Sequence, residues 1–157
     1  MQKLAQMYGR YLSDRDFLIA VVLSLGLLVI GAVSTFYAGL YASERASNAV
    51  TDIILSNIPV FDVEVLFVYG TFAIGIFVVA LGLARPQWIP FIASSLGLFY
   101  CIRAVFVSLT HLAPFPSHIT LDIGYIIGTF IGGDDLFFSG HTGAPFLLAL
   151  IFWDRIL

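Results

Sequence analysis

Charged side chains are scarce in this sequence: Asp, Glu, Lys and Arg make up 11% of its 157 residues, against roughly 25% in a soluble domain. That shortage excludes a soluble globular protein and a disordered one, because both need a hydrated surface. Basic residues are the fewer sign. Lys and Arg number 7 against 10 Asp and Glu, for a net charge of -3, so no polybasic surface is available for nucleic acid or anionic lipid. Cysteine is nearly missing. Cys101 alone permits neither an intrachain disulfide nor a cysteine-rich zinc knuckle, and neither a metal nor a cofactor is expected.

What is there is apolar. Hydrophobic residues make up 60% of the chain and the mean hydropathy is +1.00. The length suits one domain and not two. These properties predict a single all-α membrane domain over residues 1–157, a polytopic bundle of transmembrane helices.

Residues 17–41 carry no charge and exceed the ~20 positions needed to cross a bilayer core. They form too long an apolar run for a signal peptide, so a retained first span is expected. Further spans are expected near residues 63–83, 88–112 and 142–157. Pro86 and Pro90 stand where a helix start tolerates proline, and Pro114 and Pro116 follow the third span. Residues 119–130 are apolar but interrupted by Asp122, and their length suits an interfacial or re-entrant segment. Lys3, Arg10, Arg15, Arg85 and Arg155 fall on one side if the spans alternate, and Arg45 is the loop cation of the other. The positive-inside rule then places residues 1–16 in the cytoplasm and turns the loops 42–62 and 113–139 to the exoplasmic or luminal side.

Two features do not belong in a plain apolar bundle. Arg103 interrupts the third span, about 20 Å from Pro90 at 1.5 Å per residue. A guanidinium there either snorkels to the interface or faces the bundle interior, where its planar fork suits phosphate oxygens. The second feature is the polar run Asp134-Asp135-Leu136-Phe137-Phe138-Ser139-Gly140-His141-Thr142 at the mouth of the last apolar stretch. Ser139 or Thr142 would cap a helix there. Thr142 is the expected cap, because it leaves Pro145 in the first turn, where the ring costs little. His141 then precedes a helix N-terminus that favours a bound phosphate, and an imidazole beside a carboxylate suits proton donation to a leaving alkoxide. His111 and His118 read as interfacial polar residues.

Asp135-x-x-x-Ser139-Gly140-His141-Thr142 resembles the third motif of the sphingomyelin synthase and inositol-phosphorylceramide synthase family, a relative of the type-2 lipid phosphate phosphatases. Leu98-Phe99-Tyr100-Cys101-Ile102-Arg103, with Thr110, Leu112, Pro114 and Pro116 following, resembles the family's second motif. Ile58-Pro59-Val60-Phe61-Asp62 is similar to its first. The order of the three and their side of the membrane agree with the family. One departure is mild: Gly133-Asp134 stands where the family usually has Cys-Gly.

The resemblance implies transfer of a lipid headgroup through a phosphohistidine. His141 would be the proton donor and acceptor, Asp135 would orient it, and Arg103 would hold the phosphate. Ser139, Gly140, Thr142, Thr110 and Asp62 would complete the substrate site. The ligands implied are membrane lipids: a phospholipid donor and a ceramide or diacylglycerol-like acceptor. In the family the nucleophilic histidine and its aspartate lie on two further spans, and this sequence stops at Leu157 before them. The expectation is therefore the N-terminal four-span part of such an enzyme. Phosphatidate hydrolysis and a non-catalytic lipid-binding or scaffold role are the alternatives. A small transporter ranks below them, since the chain has no repeated halves.

Overall fold

In the computed structural model the described residues are 2–46, 57, 64–110 and 138–156. Among them every regular element is helical. The amphipathic helix α1 (Gln2–Ser13) comes first and is separated from α2 (Arg15–Glu44) by a single residue, Asp14. Asp14 breaks the run because its carboxylate accepts from the backbone N–H groups of Asp16 at 3.0 Å and Phe17 at 3.3 Å, satisfying amides that no preceding turn can reach. α3 (Glu64–Ala84) leads through a tight 3-10 turn, Pro86–Trp88, into α4 (Ile89–Leu109). The last helix is α5 (Gly140–Ile156). Sequence reasoning left residues 2–13 unassigned; in the structure α1 folds against the α3–α4 turn. The Tyr8 hydroxyl donates to the Leu83 carbonyl at 2.5 Å and that of Tyr11 to Gln87 Oε1 at 2.8 Å.

α2 and α4 are long and apolar enough to cross a membrane, by length and composition. Their large side chains face outward: Val22 and Leu23 are each 68% exposed and Leu109 is 72% exposed. What the two helices bury against each other is small. Ser24, Gly31, Ala38 and Ala42 on α2 meet Ala93, Gly97, Ala104 and Val107 on α4. The positions recur at steps of seven, four and three, the spacing that keeps one seam of a helix facing a neighbour. Gly31 and Gly97 set the approach. A Cβ on Gly97 would lie 2.8 Å from the backbone of Leu27 and Leu28, and one on Gly31 would lie 2.5 Å from the Gly97 carbonyl oxygen. Residues rise together along both helices (31 beside 97, 35 beside 100), so α2 and α4 run in the same direction. Small residues that bring backbones together are how helices associate where no water drives burial.

α3 and α5 run opposite to α4. At the Trp88 end, Ile92, Leu148 and Phe152 form a cluster with Val78 and Leu81, and the Trp88 and Phe152 rings stand 5.5 Å apart. At the other end Gly140 lies against Arg103. The core is thus a thin seam plus a cluster at one end, and it leaves space between the helices near Arg103. Three sequence expectations change in detail. α4 ends at Leu109, with Thr110 extended, rather than at residue 112. α2 extends to Glu44 rather than residue 41. The expected cap at Thr142 is wrong: the Gly143 N–H already bonds the Ser139 carbonyl at 2.9 Å. Ser139 therefore stands at the helix start and Pro145 lies within the helix. The proline removes the amide that would close onto the His141 carbonyl.

Candidate functional site

Phe99, Arg103 and Phe106 stand at i, i+4 and i+7 on α4 and so share a face. Together they hold Phe138. Arg103 Nε donates to the Phe138 carbonyl at 2.9 Å, while the Phe138 ring stacks on Phe106 at 5.6 Å and tilts against Phe99 at 5.5 Å. Phe138 has φ 67°, in the left-handed region. That conformation costs a non-glycine residue roughly 1–2 kcal/mol. Two ring contacts at ~0.5–1.5 kcal/mol each and a charge-assisted hydrogen bond offset the cost. The result is a sharp turn that delivers the chain into α5.

Two glycines let the start of α5 rest on α4. A Cβ on Gly140 would lie 3.2 Å from Arg103 Nε, and one on Gly143 would lie 2.6 Å from Cζ of Phe99. Seated this way, the first turn of α5, and the partial positive charge of a helix N-terminus, lie close to the guanidinium. Arg103 is 7% exposed. It faces the bundle interior rather than snorkelling outward.

A cavity of about 380 Å³ lies where α2, α3, α4 and α5 meet. Arg103 and His141 both line it, with Gly140 directly before His141 at the start of α5 and Thr35, Thr71 and Tyr100 as further polar walls. Its remaining surface is mostly apolar, including Ile74, Leu96 and Leu148. The volume is within the usual range for small-ligand pockets, as is the ratio of a few polar groups to many apolar ones. Thr35 donates to the Tyr100 carbonyl at 3.0 Å, which ties the α2 wall to the α4 wall. A buried guanidinium and a helix start facing one cavity favour an anion with several oxygens. A half-buried imidazole on the same wall can exchange a proton with whatever that anion carries.

The structure therefore brings together Arg103, Gly140 and His141 of the residues singled out from sequence. Ser139 and Thr142 are exposed and are not on the cavity wall. Thr110 is also off the wall, its hydroxyl donating to the Phe106 carbonyl at 2.9 Å. Asp62, Asp135, His111 and His118 lie outside the described residues. Among the described residues no group of three or more His, Cys, Asp or Glu is placed to hold a metal ion. Sequence reasoning missed Thr35, Thr71 and the wedge at Phe138. Tyr100 belongs to the stretch that resembles the second motif. Its position one turn before Arg103, on the same face, was the available signal.

Compared with protein-family models, curated proteins and solved structures, the chain matches none of them.

Proposed function

We propose that this chain is a multi-pass membrane protein whose Arg103–His141 cavity binds the phosphate of a lipid headgroup and supports its transfer to a ceramide or diacylglycerol-like acceptor. The observation that carries the reading is the convergence of a buried arginine and a histidine on one cavity between apolar helices. Arg103 lines that cavity, where its charge can act on the oxygens of an anionic ligand. The motif resemblance around Asp62, Arg103 and His141 supports the same chemistry. In the proposed orientation the N-terminus is cytoplasmic and the cavity opens toward the exoplasmic or luminal side.

The transfer has two steps. A histidine nitrogen attacks phosphorus, the bond to the diacylglycerol oxygen breaks, and His141 gives that oxygen a proton. The acceptor hydroxyl then yields its proton to His141 and attacks phosphorus, releasing the first histidine. Arg103 offsets the charge on the non-bridging oxygens throughout. His141 cannot be both nucleophile and proton donor, so a second histidine is required. His118 stands four residues before Asp122 in this sequence, which makes it the residue to test within these 157 positions.

Binding tests the reading directly. Purified chain in nanodiscs is expected to bind short-chain phosphatidate saturably, and Arg103→Gln is expected to lose that binding. Equal binding by the variant would refute the assignment. In a transfer assay with a short-chain ceramide, the chain alone is expected to be inactive. Turnover that disappears in both His118→Ala and His141→Ala would instead locate the whole reaction within these residues.

A further inference from the structure

The cavity at Arg103 does not end at its own floor. A second space, about 440 Å³, lies between α3 and α5, and Ile74, Pro145 and Leu148 line both. From that shared wall it follows α5 past Ala149 to Trp153, with Phe77 on the α3 side. This lower space is almost wholly apolar, and its wall residues Phe77, Ala149 and Trp153 are exposed on the bundle surface. Its upper end, at Ile74, Pro145 and Leu148, adjoins the cavity that the buried guanidinium lines. From His141 to Trp153 the path along α5 is about 18 Å at 1.5 Å per residue. One leaflet of hydrocarbon is roughly 15 Å deep, half of the ~30 Å core.

We propose that the α3–α5 groove is the seat of one acyl chain of the lipid whose phosphate is held at Arg103. The inference rests on the phosphate-binding reading above and adds the path by which such a lipid reaches the site. A groove of this kind gains no hydrophobic free energy over the bilayer, since the surroundings are equally apolar. Its contribution is geometric. The phosphate reaches a guanidinium buried among helices while its chain stays in hydrocarbon throughout. Without a groove, each methylene drawn up with the headgroup would leave apolar contact, at about fourfold in affinity apiece. The occupant is therefore an anionic lipid with a full-length chain. A headgroup alone, or a zwitterionic lipid lying against the bundle surface, does not use both ends.

Trp153 makes the groove visible. The chain has 2 tryptophans, so Trp88→Phe leaves Trp153 as the sole emitter at the far end. In phosphatidylcholine nanodiscs, phosphatidate brominated near its chain terminus is expected to quench Trp153 saturably. It should do so at a mole fraction about tenfold lower than brominated phosphatidylcholine requires. Ala149→Phe, on the exposed wall, and Leu148→Phe, at the junction of the two spaces, are each expected to weaken that quenching by about sixteenfold, the effect of displacing two methylenes. Dihexanoyl phosphatidate, too short to occupy the groove, should bind Ala149→Phe, which lies off the Arg103 cavity, as it binds the parent and should need Arg103. Equal quenching by the two brominated lipids (annular lipid only), or quenching unchanged in both groove variants, would overturn the groove and leave the phosphate site standing. Binding of short- and long-chain phosphatidate that ignores Arg103→Gln would overturn the phosphate site, and the groove with it.

Discussion

Arg103 Nε donates a hydrogen bond to the carbonyl of Phe138 at 2.9 Å, tying the C-terminal half of α4 to the residue that turns the chain into α5. The arginine therefore has a structural task as well as the proposed phosphate-binding one. It holds the entry to α5 in place while its charge lines the cavity beside His141.

Arg103→Gln is expected to cost about 1.5–3 kcal/mol, the usual loss when a hydrogen bond from a charged donor is removed. Arg103→Lys should cost less, because an ammonium can still reach a carbonyl, although it lacks the fork that fixes direction. Thermal unfolding in detergent gives the order. Unchanged midpoints for both variants would mean that the α4–α5 connection is held by something else.

At Phe138 two effects oppose each other, and a pair of substitutions separates them. Phe138→Ala keeps the cost of the left-handed backbone and loses both ring contacts. Phe138→Gly loses the same contacts but relieves the backbone by roughly 1–2 kcal/mol. Both should be less stable than the parent, and the glycine variant should be the better of the two. An alanine variant equal to the glycine variant would show that φ 67° is not held in the folded protein.

The α2–α4 seam predicts a contrast between two glycines of similar helical context. Gly97→Ala puts a Cβ against the α2 backbone, where neither partner can give, and should destabilise by about 1–3 kcal/mol. Gly26→Ala meets nothing within 4 Å and should be neutral or stabilising by up to about 1 kcal/mol. Equal effects would argue that the two helices do not cross at Gly97.

Orientation in the membrane is tested by glycosylation mapping. An acceptor sequence placed within residues 113–139 should be modified in a microsomal translation, and one beside Arg85 should not. The reverse pattern would overturn the positive-inside assignment.

The helical class of this chain is a matter of composition, and four of its helices could be placed from long apolar runs, Arg103 within the third notwithstanding. Helix ends were less legible. Thr142 looked like the better cap on local cost, since it spared Pro145; the structure starts α5 at Gly140 because contacts with α4 at Arg103 and Phe99 outweigh the proline. α1 was missed because its amphipathic pattern is short and lies among the charges on which the proposed orientation rests.

Arg103 and His141 stood out in the sequence because each is chemically out of place in an apolar chain, and that judgement needs only residue type and position. Whether they face the same space needed the tertiary structure. Residues 38 positions apart meet through the crossing of separate helices, and that crossing depends on where Gly31, Gly97, Gly140 and Gly143 allow backbones or rings to close. The same holds for Phe138. Its side chain reads as one more apolar residue before a helix, and only the rings and the guanidinium on one face of α4 select the left-handed turn that leads into α5.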